Sequence, residues 1–271
     1  MPAIQIPRLK MQISRLMDDL DRPNQFVRSL YELMEKYSNR IFRHGQSGEP
    51  PPLVDWYNVP PPLIKILETE LIPFAEREPE KTLNLCDILW AEPFLEFRLI
   101  AASLLGNIAP TPPEPIVDRV QRWAKPEEDE RILKALIDQG CARIIKENPE
   151  YITRQIERWL TDSRPSVLQL GLRATISLVN NPEFENLPAL FTLIAPFIRD
   201  TPAPLREHAL RVVKALAHRS PAETSYILSK YLEVTNRKDV AWMIRQSLDE
   251  FPAELQQQLR NYLRITKADM V

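Results

Sequence analysis

Apolar residues recur along this chain at three- and four-residue intervals, cut by prolines and short polar breaks, with no sustained alternation of the kind a strand requires. Leu9, Ile13, Leu16 and Leu20 form one stripe, Asp21-Arg22-Pro23-Asn24 breaks it, and Phe26, Leu30, Leu33, Met34, Tyr37 and Ile41 form the next. This predicts a helical hairpin within residues 1–43. A Pro-rich linker follows over 44–62, with Pro50-Pro51-Pro52, Asp55-Trp56-Tyr57-Asn58 and Pro60-Pro61-Pro62 favouring extended chain. Its aromatic pair either pins it onto the helices or serves as part of a ligand for a proline-reading domain.

Beyond the linker the periodicity predicts a helix over 62–77 and then helices in pairs: 79–91 with 93–109, 114–124 with 127–147, 149–161 with 165–180, 187–199 with 204–219, and 221–233 with 237–250. A last helix over 253–264 closes the series. The first helices start at 79, 114, 149, 187 and 221, in steps of 35, 35, 38 and 34. The second helices carry arginines at 98, 131, 173, 211 and 245, separated by 33, 42, 38 and 34. Two series with a common step predict an all-α solenoid of stacked helix pairs over 63–271, since no single pair can bury its own apolar stripe. In the clearest unit, 93–106, Pro93 is expected at the helix's first position and Gly106 at its stop. Trp90, Trp123 and Trp159 close successive first helices and read as packing between repeats.

Composition sharpens this picture in one respect: 26 prolines against 5 glycines, most of the prolines at expected helix starts. Cys86 and Cys141, each inside an apolar helical run, read as buried thiols, and with His44, His208 and His218 they share no metal-ligand spacing. No cofactor or metal is expected. The N-terminus does not resemble a secretory signal, and the longest apolar run, Leu187 to Ile198, is too short for a bilayer. A cytoplasmic chain without membrane contact is the expectation. Phosphate-cradling glycine loops, a His-Glu-x-x-His pair and a nucleophile elbow are missing from the sequence.

The formal charge is −2, but it is unevenly spread. Residues 1–43 carry 8 basic and 5 acidic side chains, 44–198 carry 15 and 23, and 199–271 carry 12 and 9. The densest basic set is Arg206, Arg211, Lys214, Arg219, Arg237, Lys238 and Arg245. The recurring arginines have two readings: a ladder that meets phosphates at intervals, or internal partners for carboxylates such as Glu96, Asp129, Asp162 and Glu207. The acidic run Glu127-Glu128-Asp129-Glu130 likewise reads as charge at a helix N-terminus.

The segment Pro93-Phe94-Leu95-Glu96-Phe97-Arg98-Leu99-Ile100-Ala101-Ala102-Ser103-Leu104-Leu105-Gly106 resembles HEAT repeats. With Leu89 to Arg98, Asn148-Pro149-Glu150-Tyr151-Ile152, Trp159 to Ser163 and Arg173-Ala174-Thr175-Ile176 in that order, residues 60–235 resemble the HEAT-like DNA alkylation-repair glycosylases. That resemblance implies a solenoid holding duplex DNA on a basic concave face, with a catalytic aspartate in a Trp-Asp-x-x-Asp-like motif. Such a carboxylate is needed to stabilise positive charge growing on the sugar. In this sequence the aspartate's place falls at about Lys134, no tryptophan stands inside the motif, and Asp129, Glu130 and Asp138 are the neighbouring carboxylates. The family's supporting arginine falls near Leu170, or on Arg173 with a three-residue insertion, and its later tryptophan at about Arg211 or Val212.

The expectation is therefore a solenoid that has kept the scaffold without the catalytic motif and binds a macromolecule, DNA before a protein partner. An active alkylpurine DNA glycosylase and a protein-binding scaffold are the alternatives. Arg98, Arg131, Lys134, Arg173, Arg211, Lys214 and Arg245 are the candidate DNA contacts. Oligomeric state is left open.

Overall fold

A computed structural model of the chain describes residues 5–38, 51–125, 128–234 and 237–268. Residues 1–4 and 39–43 of the expected hairpin, 44–50 of the expected linker with His44, and Pro126 and Glu127 lie outside the described residues. The fold is all-α, of helices packed in pairs as in an α-solenoid; among the described residues the only β feature is an isolated bridge between Asp55 and Phe94. Two compact units are present, residues 1–147 and 148–271.

The first unit holds α1 (Ile6–Met17), α2 (Pro23–Tyr37), α3 (Pro61–Arg77), α4 (Pro79–Ala91), α5 (Leu95–Asn107), α6 (Glu114–Trp123), α7 (Glu130–Asp138) and α8 (Ala142–Glu147). Contacts run α1 to α3, α3 to α5 and α5 to α7 in one row, and α2 to α4 in another. The second row continues to α6, where Trp90 and Trp123 stack with ring centroids 4.5 Å apart and 5° between planes. Arg119 of α6 clasps Asp87 of α4 at 2.6 Å. The first helix of each pair thus packs on its counterpart, and so does the second. The hairpin helices bury the stripes read from the sequence, Leu9, Ile13 and Leu16 on α1 and Phe26, Leu30, Leu33 and Met34 on α2.

The second unit holds α9 (Pro149–Leu160), α10 (Pro165–Val179), α11 (Leu187–Arg199), α12 (Arg206–Arg219), α13 (Pro221–Val234), α14 (Arg237–Ser247) and α15 (Ala253–Ala268). Short 3₁₀ turns precede α12, at Ala203–Leu205, and follow α14, at Leu248–Glu250. Here α10, α12 and α14 pack in a row, α9 meets α11, and α15 lies against α13 and α14. Asn148 and Asn186 cap α9 and α11 through their side chains, satisfying amides that no helical carbonyl can reach. Trp159 is buried in α9, and a Cβ on Gly171 of α10 would come within 2.8 Å of Leu160.

Three local expectations are corrected. Pro93 does not begin α5: it lies in a bend two residues upstream, Phe94 takes the N-cap position, and Leu95 donates its amide to the Asp55 carbonyl at 2.8 Å. The strap of residues before α3 therefore sets where α5 starts. Gly106 is not a left-handed stop, since α5 continues through it to Asn107. It is glycine because a Cβ would meet the Gln139 carbonyl oxygen at 1.8 Å, so the absence of a side chain lets α5 and the end of α7 touch backbone to backbone. At that contact the expected helix over 127–147 breaks: Gln139 and Gly140 both donate to the Ala135 carbonyl, and a new helix begins at Ala142.

Replacing Gly106 with alanine is expected to destabilise the protein by about 3 kcal/mol, because backbone must move and the gain of about 1 kcal/mol in helix propensity is smaller. A urea titration of G106A reads this directly; stability at or above wild type would show the two helices are free to part. Cys86 and Cys141 are fully buried, and burial drives both thiols up, Cys141 to about 12. Neither is expected to react with a disulfide dye at pH 8 until the protein is unfolded, since the thiolate is the reactive species.

Candidate functional site

At the start of α5 and α7, ahead of Lys134, at about which the resemblance puts the family's aspartate, acidic side chains converge with one arginine. Arg98, on the first turn of α5, reaches Glu128 just ahead of α7, Nη1 to Oε1 at 2.6 Å. Its Nε donates to the Glu92 carbonyl at 3.1 Å, and its guanidinium lies 5.6 Å from the centre of the Trp90 ring. The Glu128 side chain is 5% exposed, so its charge is neutralised away from water, where pairing matters most. Asp129 is the N-cap of α7: Oδ1 accepts from the Arg131 amide and Oδ2 from the Leu53 amide, each at 2.8 Å. Asp129 and Glu130 are thus charge at the N-terminus of α7.

A second carboxylate ties down the strap. Glu96 accepts from the amides of Tyr57, at 3.0 and 3.1 Å, and Asn58, at 2.8 Å, and is itself buried. Asn58 has a positive φ of 54°, which turns consecutive amides toward that carboxylate. Tyr57 packs on Phe94 at 4.5 Å between centroids, and Tyr31 joins the same cluster with Phe97 at 4.6 Å while its hydroxyl donates to Glu92. Tyr57 is a pin, in agreement with the first of the two readings of the linker.

The candidate arginines and lysines separate by unit. In the first, Arg98 is held as described, Arg131 is half-buried on the first turn of α7, and Lys134 is exposed and paired with Asp138 one turn on. In the second, Arg173 is half-buried in the middle of α10, and Arg211 is exposed on α12. Lys214, one turn further along α12, lies 3.8 Å from Glu250 in the 3₁₀ turn after α14. Arg245 is exposed on α14, with no ion pair among the described residues. Arg211, Lys214 and Arg245 therefore stand on two helices in direct contact. The side chain of Arg237 lies outside the described residues.

The recurring series left out two arginine sites in this unit, although Arg206 stands in the densest basic set. Arg206 pairs with Asp239 at 2.6 Å and lies 5.1 Å from the Trp242 ring centre, and Arg199 covers Tyr231 at 4.3 Å. The signal was an aromatic residue one repeat downstream of each arginine. Two carboxylates stand apart from these pairings. Burial raises the Glu68 carboxyl on α3 above its ordinary value, opposed by a hydrogen bond with Ser103. Asp162, between α9 and α10, is held down to about 2 by hydrogen bonds from Arg164. Among the described residues no cluster of histidine, cysteine and carboxylate could hold a metal, and no helix is long and apolar enough to cross a membrane.

A family model described as DNA alkylation repair enzyme matches residues 55–251, more than two thirds of the chain. No curated protein and no solved structure matches.

Substituting Arg98 with alanine leaves the Glu128 carboxylate buried without its partner, and is expected to cost about 3 kcal/mol. The exposed Arg245→Ala is expected to stay within about 0.5 kcal/mol of wild type. Chemical denaturation of both variants checks this contrast, and equal stabilities would remove the structural assignment of Arg98.

Proposed function

The chain belongs to the DNA alkylation repair enzyme family, and from that membership we propose that it binds duplex DNA without itself cleaving the bond between an alkylated base and its sugar. Membership ties the protein to DNA repair; the division between binding and cleavage rests on the side chains. Cleavage needs a carboxylate free to face a developing oxocarbenium ion. At the start of α7 both buried carboxylates are committed, Glu128 to Arg98 and Asp129 to two backbone amides. Lys134, at about the aspartate's place, brings a positive charge and is engaged with Asp138.

The single observation that carries binding is that Arg211, Lys214 and Arg245 stand on α12 and α14, two helices in contact, with Arg211 and Arg245 exposed. Cations on neighbouring helices neutralise phosphates and release counterions whatever the base sequence. The acidic balance of residues 44–198 favours a second reading, in which the same stack presents a surface to another protein.

Duplex binding followed by fluorescence anisotropy is expected to weaken steeply between 50 and 200 mM salt. The triple variant R211Q/K214Q/R245Q should bind about tenfold more weakly on unrelated sequences, with a salt slope shallower by about 2–3. Methylated duplex should release no alkylated base on incubation with the protein. Release would restore the glycosylase reading, and failure to bind duplex at low salt would leave the protein-binding one.

A further inference from the structure

Helices α1 and α2 precede the region matched by the family, yet they pack on α3 and α4 and continue both rows of the first unit. The exposed side of α1 is unlike the rest of that unit. Its twelve residues include Arg8, Lys10 and Arg15 and no acid. All three cations are exposed, and none has an ion pair among the described residues. In the same unit Arg22, Lys81, Arg98, Arg119, Lys134 and Arg143 each hold a carboxylate within 4.0 Å, while exposed Arg28, Lys36, Lys65, Arg77, Lys125 and Lys146 have no ion pair among the described residues; what sets α1 apart is that every other helix of the unit contains an acid.

Helix stability does not account for this charge. A cation favours the C-terminal turn, where Arg15 sits, but Arg8 stands in the first turn, near the positive end of the dipole, and no acid offsets it there. The three residues also lie away from the buried stripe of Leu9, Ile13 and Leu16, so none is needed for packing on α2 and α3.

We propose that the exposed side of α1, with Arg8 and Arg15 on one flank and Lys10 on the other, is a phosphate-binding surface of the first unit that lies outside the family-matched region; it rests on the DNA-binding reading given above. Seven residues separate Arg8 from Arg15, a rise of about 10 Å, and a duplex strand advances about 3.4 Å along its axis per phosphate, so the face spans several phosphate intervals. An anionic bilayer fits less well. A helix that lies in a membrane interface inserts a broad apolar face, and the apolar stripe of α1 is already buried against protein. Only Ile6, 40% exposed, and Met11, 57% exposed, remain on the outside.

The test compares three full-length proteins on duplex DNA: wild type, R8Q/K10Q/R15Q and R211Q/K214Q/R245Q. The α1 variant is expected to melt as wild type does, to bind at least about fivefold more weakly at 50 mM salt, and to show a salt slope shallower by about 2–3 on any sequence. A measurement that needs no variant accompanies it: Lys10 of wild type should be protected from acetylation when duplex is added. Unchanged affinity in the α1 variant, or an unprotected Lys10, while the α12 and α14 variant is weakened, overturns the proposal and leaves the DNA-binding reading standing. Absence of duplex binding by wild type overturns both. Tighter binding of wild type to vesicles of anionic lipid than to duplex, lost in the α1 variant, assigns the surface to a membrane instead.

Discussion

Burial of one helix between its neighbours is the interaction on which each unit depends, and α5 shows it in its strongest form. It packs on α3, α4 and α7, and accordingly Leu95, Phe97, Ile100, Ala101, Ala102, Leu104 and Leu105 are buried around most of its circumference. Beyond its first turn, which carries Glu96 and Arg98, such a helix has little solvent face to spare for long polar side chains, in keeping with its alanines and serine. The same crowding explains Gly106, where the approach to the next helix is so close that even a methyl group has no room. By comparison α6 and α9 have one buried side only, and carry acidic and basic residues on the other.

Close stacking creates a polar problem at helix starts, where unbonded amides and the chain entering the helix meet. Three acids in the first unit meet it. Glu96 holds the strap through two amides, Asp129 caps α7 and takes the Leu53 amide, and Glu128 neutralises Arg98. These carboxylates are counted in the acidic balance of residues 44–198, but they do not reach solvent as free charge. Hydrogen bonds from amides leave the charge of Glu96 and Asp129 in place, and the Glu128–Arg98 pair cancels one acid with one base, so the net charge of that stretch still counts against a polyanion.

Much of the architecture was legible in the sequence because its punctuation is local. Pro79, Pro149, Pro165 and Pro221 stand at the first position of their helices, where proline's fixed φ and missing amide cost nothing. The departures come from partners distant in sequence. Pro93 looked like its fellows, but Asp55, 38 residues upstream, supplies the carbonyl that moves the helix start to Leu95. Glu96 was one of the carboxylates open to the recurring arginines, yet Glu128 holds Arg98 across 30 residues and Glu96 turns to the strap. No periodicity encodes such choices, because they are settled by which helices the stacking brings together.

The recurring arginines illustrate how equal spacing along a chain divides into different physical roles. Arg98 and Arg131 are the fourth and second residues of α5 and α7, so they emerge at helix starts, among the capping acids. Arg173, Arg211 and Arg245 are the ninth, sixth and ninth residues of α10, α12 and α14, helices that pack in one row. Counted from their helix starts they differ by three residues, a rise of about 4.5 Å, and Arg245 falls in the last turn of α14. The repeat length fixes how often an arginine occurs. Where the helix begins decides whether that arginine emerges at a helix start, among the capping acids, or further along the helix.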